Sequence, residues 1–524
     1  MNFLLVAINA KYIHSNPAVY SLQAFADRVY PGVTSVSEFT INHNFDQILS
    51  GIFSQHPDAI GISTYIWNIE TVRKLLTELP KILPDTEIWL GGPEVSYHYE
   101  KLYDEYPCIR GIIVGEGEKT FTRVVGEYVR CQDSKERDFT SIPNLSLRER
   151  KEVIEHTLLD LDALPFIYEE GMDAFNNRIV YYESSRGCPF RCSFCLSSID
   201  KTLRFRSLPF VFREIQYFLD AEIPQVKFID RTFNSDKDRT KAIWNYILEH
   251  DNGITNFHFE IAAELIDKEE IDILRKMRPG LVQLEIGIQS TNLDTLQAVN
   301  RPATLHKIKQ IVKDLNKAHN VHIHLDLIAG LPYEGLRSFR SSFNDVYDMQ
   351  PNQLQLGFLK VLKGSPIEAD CEKFGIRYTD SSPYEVLSTR WLRFEEIQYL
   401  KRIEEMVELY YNSNQFTTTL PLLIKAFESP FDLFGAMADY YEEKGYFVQT
   451  PARSRRYEIL LSFVDEKTTL YIEEIRDALT MDYYLREKPK SKPDFVKNVP
   501  DKELFDYANR DPLTGNFRLK EDHP

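Results

Sequence analysis

The sequence predicts an α/β protein built of a doubly wound parallel sheet, a partial (βα)6 barrel and a mostly helical C-terminal region. Three observations carry this. Short apolar runs alternate with helical spacing through the N-terminal and central parts of the chain, the rhythm of β-α units. Three of the six cysteines crowd into Cys188, Cys192 and Cys195, directly after one apolar run, and divide that rhythm in two. Beyond Pro383 the aromatic and aliphatic residues keep only helical spacing. The expected parts are residues 1–140, a linker 141–178, a barrel 179–370 and a helical domain 371–524.

Composition narrows the classes. At 524 residues the chain has room for two to four domains, and 43% hydrophobic with 27% charged residues is the balance of a soluble globular protein. A net charge of −17 argues against a general nucleic-acid or anionic-membrane binder, a local basic patch aside. The opening Met1–Asn9 lacks a basic leader and is too short for a membrane span, so it reads as a buried first strand. A reducing cytoplasm is the expected setting, without a disulfide framework and without a membrane partner.

In the N-terminal part the expected strands are Phe3–Ile8, Thr34–Phe39, Ala59–Ser63, Glu87–Leu90 and Gly111–Val114. Helical spacing falls near Pro17–Arg28, Asp46–Gln55, Ile69–Leu79, Val95–Asp104 and Lys119–Arg130. A parallel sheet of this kind has its ligand crevice at the strand C-terminal ends. Those ends are Asn9–Asn16, Gly61–Asn68, Gly91–Glu94 and Val114–Glu118. Their small residues leave room for a large ligand against the backbone, although glycine is also the ordinary turn residue. No G-x-G-x-x-G follows the first strand, which disfavours a nicotinamide site.

The pieces Gly91-Gly-Pro and Val114-Gly-Glu-Gly-Glu118 resemble the Rossmann-like cobalamin-binding domain. That resemblance implies cobalamin contacts from Ser63, Tyr65, Gly91, Gly92, Gly115, Glu116 and Gly117. The D-x-H-x-x-G motif that supplies a lower axial histidine in many cobalamin proteins is missing, so the implied cobalamin lacks that ligand. His14, Tyr65, Trp67, Asn68 and Glu94 remain as candidates for its lower face, with a surface role the alternative for His14. His43, His56 and His98 read as surface residues, and Cys108 and Cys131 as structural thiols.

Ile142–Arg148 reads as a short strand, and Leu158–Pro165 as an acidic linker that Pro165 terminates. A strand over Arg178–Tyr182 then leads into Cys188, Cys192 and Cys195, with Gly187 and Pro189 setting a turn. Three close thiolates suit three irons of a cuboidal cluster, and the absent fourth cysteine leaves one iron open. Zinc would need a further Cys or His, and the next histidine is His250. Three unrelated thiols are the remaining alternative.

The C-x3-C-x2-C spacing, Phe194 before the last cysteine and the preceding strand resemble the radical S-adenosylmethionine (SAM) superfamily, in the subclass that carries a cobalamin-binding domain. The resemblance implies a [4Fe-4S] cluster on Cys188, Cys192 and Cys195 whose open iron is chelated by SAM. Further strands are expected at Val226–Ile229, Asn256–Ile261, Leu281–Ile288, His322–Ile328 and Gln353–Leu359. Helices are expected near Pro209–Asp220, Asp236–Glu249, Lys268–Met277, Asn292–Val299, Leu305–Ala318 and Gly335–Asp348. The residues at these strand ends line a barrel mouth.

Asp230, with Asn234 behind it, resembles the family's partner of the SAM amino group; helix capping is the alternative. Glu260 is a charge in an apolar strand, where an unpaired carboxylate is costly, so it reads as facing a ligand. Glu285-Ile-Gly-Ile-Gln289-Ser290 resembles the stretch that flanks the SAM sugar and methionine. Arg301, in Val299-Asn-Arg-Pro302, resembles a partner of the SAM carboxylate, with a solvated helix-end arginine the alternative. Asp326-Leu-Ile-Ala-Gly-Leu-Pro332 resembles the segment whose Ile328 and Gly330 bracket adenine, and Leu362–Pro366 closes the barrel as in the family.

The C-terminal helices are expected at Trp391–Tyr411, Leu420–Phe427, Asp432–Glu443 and Leu470–Arg486, followed by a Lys- and Pro-rich strap at Arg486–Asp501. This part resembles an uncharacterised helical domain that accompanies one branch of these enzymes. The implied activity is reductive cleavage of SAM to a 5′-deoxyadenosyl radical and C-methylation of a small molecule, the cofactors carrying the chemistry. No catalytic side chain is singled out. A flavodoxin or ferredoxin is the implied electron donor. Ring formation or rearrangement without methyl transfer is the first alternative. A methylthiotransferase would need a further N-terminal cysteine trio, which Cys108 and Cys131 do not make. A cluster-binding regulatory protein would have no use for Asp230, Glu260 and Glu285 at strand ends.

Overall fold

The computed structural model describes residues 1–131, 136–154, 158–169, 172–199, 202–301, 303–487 and 492–497. The chain forms two compact units. The first holds Met1–Ile286, Gln297–His322 and Leu359–Leu387, the second Gly287–Leu296, Ile323–Phe358 and the residues from Ser388 onward. Among the described residues no helix is long and apolar enough to cross a membrane.

The first unit opens with β1 (Phe3–Asn9), α1 (Pro17–Asp27), β2 (Thr34–Thr40), α2 (Phe45–Phe53), β3 (Ala59–Ser63) and α3 (Ile69–Ile82). It continues through β4 (Glu87–Gly91), α4 (Glu100–Glu105), β5 (Ile109–Ile113), α5 (Glu118–Arg130) and β6 (Leu145–Leu147). The sheet runs β2-β1-β3-β4-β5-β6, parallel except for the last strand. Strand β1 is buried along its whole length. Its alternate residues feed two cores: Leu4, Val6 and Ile8 join Ile48, Val72 and Leu75, while Phe3, Leu5 and Ala7 join Val19, Phe121 and Val124. A strand covered on both faces is a continuous apolar run, which is why the sequence shows it plainly. Each such Leu, Val or Ile contributes about 1.5–3 kcal/mol by its burial. Helix α3 passes the expected stop at Leu79 and carries Pro80 within its last turn; the proline removes the bond its N–H would give to Leu76 O, and that carbonyl accepts from Cys108 Sγ at 3.3 Å instead. The order reverses between β1 and β3, and that switch point is where a ligand crevice opens.

The strands that follow build another sheet. Its elements are β7 (Val180–Tyr182), β8 (Ser185–Arg186), β9 (Arg204–Phe205), α6 (Leu208–Asp220), β10 (Gln225–Phe228), α7 (Lys237–Glu249), β11 (Asn256–Ile261) and α8 (Lys268–Leu274). There follow β12 (Val282–Gln289), α9 (Leu293–Ala298), α10 (Leu305–Asn316), β13 (His322–Ala329), α11 (Leu336–Tyr347) and β14 (Gln353–Phe358). The strand order is β14-β13-β12-β11-β10-β7, with the short β8 and β9 paired apart. Each new strand joins the same edge, the order of a (βα)6 barrel and unlike that of the first sheet. Along β12, Val282, Leu284, Ile286 and Ile288 are buried while Gln283, Glu285, Gly287 and Gln289 are half-buried. That period-2 alternation puts apolar residues on one face and polar residues on the other.

Short α12 (Pro366–Ala369), α13 (Cys371–Phe374), β15 (Arg377–Tyr378) and β16 (Val386–Ser388) follow. The second unit then has α14 (Phe394–Met406), α15 (Leu420–Ile424), α16 (Pro430–Lys444), α17 (Arg455–Lys467) and α18 (Ile472–Arg486). The expected single helix over Trp391–Tyr411 gives way at Val407–Asn412 to a π-helical turn. Its Asn412 exchanges two side-chain bonds with the Leu354 backbone, at 2.9 Å each, and so closes the free edge of β14. Helix α17 was not expected, although Tyr457, Leu460 and Val464 on its buried face keep helical spacing. The expected strap Arg486–Asp501 falls largely outside the described residues.

Candidate functional site

The cysteine loop leaves β7 and is held at its start. Asp230 follows β10, and its carboxylate accepts Ser184 N at 2.7 Å, Ser185 N at 3.1 Å and Ser184 Oγ at 2.5 Å. It is buried, and burial raises its pKa to about 6 against the pull of those donors. The capping alternative is excluded, since Asp236 caps α7 through Arg239 N. Asp230 therefore anchors the loop instead of presenting a free carboxylate. Asn234 binds both backbone groups of Ala262 at 2.9 Å and pins the end of β11 in the same manner. Pairing of β8 with β9 closes the base of the loop. Gly187 sits at φ 99°, and a Cβ there would lie 1.9 Å from Thr202 O, so only glycine fits.

Cys188, Cys192 and Cys195 are free thiols. Cys188 Sγ lies 3.3 Å from Thr232 Oγ1, and Arg301 Nη1 donates to Cys192 Sγ at 3.6 Å. Burial raises the Cys192 thiol, Arg301 opposes this, and the two neighbouring cysteines add to it. A hydroxyl and a guanidinium are not zinc ligands. Three soft sulfurs on one loop fit a cuboidal cluster with an open iron.

The strand ends separate into committed and open residues. Glu285 accepts Lys227 Nζ at 3.1 Å and pairs with His258 Nε2 at 2.9 Å. Burial alone would raise its pKa, but the His258 bond and the Lys227 ammonium prevail and hold it at about 2. It is thus an internal ion-pair partner. Glu260 stands beside it in register on β11 and is half-buried. In the second unit, Gln289 ends β12 in the left-handed region at φ 69°, and its Oε1 is buried without a hydrogen-bond partner among the described residues. Backbone strain at a strand end together with an unused acceptor marks it as open to a ligand. Ile328 is half-buried and Gly330 turns at φ 94°.

Ser290 departs from expectation. It is fully buried and donates to Glu334 Oε1 at 2.7 Å while accepting Asn292 N at 3.0 Å. Ser342 Oγ also donates to Glu334 at 2.7 Å. Sequence reasoning missed Glu334, whose pKa burial raises to about 7 despite the two serines. Its signal was a carboxylate directly after the Gly330-Leu-Pro-Tyr turn.

At the first sheet's crevice, Gly92 has φ 114°, and a Cβ would meet Thr64 O at 2.4 Å; the ends of β3 and β4 approach that closely. Space around Gly115 is open to 4 Å, whereas Gly117 faces Leu22 and Gly91 faces Ile113. Ser63 Oγ accepts Asn16 Nδ2 at 3.0 Å. Open backbone at Gly115 fits a flat ligand. Of the lower-face candidates, Asn68 is buried and clips Ile8 O to Ser63 O at 3.1 and 3.0 Å. Glu94 is buried against Lys363 Nζ at 2.5 Å and Tyr384. His14 Nδ1 lies 2.5 Å from Tyr181 OH, with burial lowering its pKa. Glu116 binds Arg204 and Leu159 N, with Arg186 3.5 Å away. These three lower-face candidates, and with them the expected cobalamin contact Glu116, are taken by the protein. Tyr65 and Trp67 remain, stacked with ring centroids 4.3 Å apart. The Tyr65 hydroxyl is pushed up by burial, with Arg231 lowering it and Glu183 raising it.

Residues 182–346 match the Radical SAM superfamily, 4–125 the B12 binding domain, and 372–511 a family described as a protein of unknown function, DUF4080. The cobalamin-dependent radical SAM methyltransferase TokK of Streptomyces tokunonensis is 24% identical over 366 residues, 63% of this chain and 51% of that protein. The chain therefore spans about half of TokK. Two solved structures share the fold. TsrM of Kitasatospora setae, a radical SAM methyltransferase with cobalamin and a [4Fe-4S] cluster bound, has TM-score 0.57 at 16% identity, covering 73% of this chain and 78% of TsrM. The cobalamin-dependent SAM radical enzyme OxsB, with aqua-cobalamin bound, has TM-score 0.60 at 16% identity, covering 92% of this chain and 79% of OxsB.

Proposed function

We propose that this chain, a radical SAM protein that also carries a B12-binding domain, is a cobalamin-dependent enzyme that methylates an unreactive carbon of a small molecule. One observation carries the reading: the free cysteine triplet and the Gly92–Gly115 crevice lie in a single compact unit. Likeness to TokK, named as a methyltransferase, supports methyl transfer.

When bound, the cluster with SAM supplies a carbon-centred radical, and cobalamin carries a methyl group. The chain binds and orients. Cys188, Cys192 and Cys195 hold the cluster, and Asp230 fixes the start of their loop through Ser184 and Ser185. Gln289, with its unused acceptor, and the backbone at Ile328 and Gly330 are the contacts proposed for SAM. Ser63, Gly92 and Gly115 would line the cobalamin site, Gly91 and Gly117 would shape its turns against Ile113 and Leu22, and the stacked Tyr65 and Trp67 would offer it a flat surface. Lys227 and His258 keep Glu285 ionised.

The donor proposed is an acidic one-electron carrier such as flavodoxin or ferredoxin. A groove of about 750 Å³ has more cations (Lys237, Lys268, Arg275, Lys307 and Lys317) than carboxylates (Asp267 and Asp314, which pair with some of them), and its surplus positive charge supports such a partner. The test is anaerobic purification from cobalamin-fed cells, then SAM labelled in its methyl group with candidate substrates. Corrinoid absorbance and label on a substrate carbon are expected. Protein without corrinoid defeats the cobalamin reading; SAM cleavage with no methyl transfer moves the assignment to ring formation or rearrangement.

A further inference from the structure

Arg301 stands against one of the three cysteines. Its Nη1 donates to Cys192 Sγ at 3.6 Å, and its guanidinium lies 5.8 Å from the centre of the Phe190 ring, within the same loop. The backbone fixes this approach independently of the side chain. Ser193 N donates to Val299 O at 2.9 Å, and Ile367 N donates to Ser193 O at 2.9 Å, so the cysteine loop is stapled to the segment that carries Arg301. Cys188 has a different neighbour. Its Sγ lies 3.3 Å from the hydroxyl oxygen of Thr232, whose proton goes to Arg231 O at 2.7 Å and which brings no charge.

We propose that Arg301 tunes the reduction potential of the iron–sulfur cluster by placing an N–H donor and a permanent positive charge on Cys192. The inference rests on the cluster reading above. One added electron increases negative charge on the cluster and its sulfurs. A donor and a cation at a ligand sulfur stabilise that state more than the oxidised one, and so raise the potential. Arginine stays charged at every working pH, so this contribution is constant. The role is one of positioning and tuning, and it precedes any contact of Arg301 with SAM.

The full chain is reconstituted anaerobically and titrated with dithionite and mediators in the absence of SAM, one electron passing from dithionite to each cluster. The electron paramagnetic resonance signal of the reduced cluster is followed. Arg301→Met, at matched iron and sulfide content, is expected to show about a tenfold lower reduced-to-oxidised ratio at the wild-type midpoint, ~59 mV for one electron. Arg301→Lys, which keeps the charge but not the planar donor, is expected between the two. Titration of both at the wild-type midpoint overturns the proposal. So does failure of both to assemble a cluster, which would make Arg301 an assembly residue. A wild-type chain that takes up no iron or sulfide defeats the cluster reading itself.

Discussion

Glu285 is a carboxylate whose ionisation the fold depends on, and acid should expose that dependence. It is held at about 2, against an ordinary 4.5, by His258 and Lys227. The folded chain keeps this group more acidic than the unfolded chain does. Its stabilisation is therefore complete above about pH 4.5 and is lost as the pH falls toward 2. The gap corresponds to about 3 kcal/mol. The side chain is 21% exposed, and solvent screening reduces the figure to about 2 kcal/mol. Glu285→Gln removes the charge and keeps the shape. Urea unfolding of both proteins from pH 7 to pH 3 should find the variant weaker by about 2 kcal/mol at pH 7, with the difference shrinking steadily below pH 4.5. A difference that stays constant across the series would show that packing, and no ionisation of Glu285, is responsible.

Substitutions at two further positions, Asp230 and Glu334, probe buried carboxylates. Asp230→Ala leaves Ser184 N and Ser185 N without their acceptor, a loss of about 2–4 kcal/mol, and should lower iron uptake after reconstitution; Asp230→Asn, which keeps an acceptor, should recover most of both. Glu334 has the opposite sign to Glu285. Its folded pKa of about 7 exceeds the ordinary 4.5, so ionising it destabilises the fold increasingly as the pH rises from 4.5 to above 7. Glu334→Gln should gain about 2–3 kcal/mol relative to wild type between pH 4.5 and pH 8, read from urea midpoints.

What the sequence made legible follows from distance along the chain. The cysteine spacing is local, so Cys188, Cys192 and Cys195 could be picked out by eye. The strands of the first sheet were equally plain, because burial on both faces makes β1 and β3 unbroken apolar runs. Partners were not. Glu116 has the residue type and the strand-end place of a ligand contact, yet Arg204, 88 positions away, takes its carboxylate. Glu94 meets Lys363 across 269 positions. Ser290 lies in the expected stretch, but its hydroxyl turns inward to Glu334, 44 positions on. Spacing shows which residue types reach a strand end. Whether each faces a ligand or a buried partner depends on a residue the local pattern does not contain.

The central claim is that the cysteine loop, as held by Asp230, is a generator of radicals from SAM. Its most direct measurement is 5′-deoxyadenosine formed when the anaerobically reconstituted full chain receives SAM and dithionite. The account predicts product from the wild-type chain and none from Cys192→Ala. No product from the wild type, or as much from the variant, would contradict it.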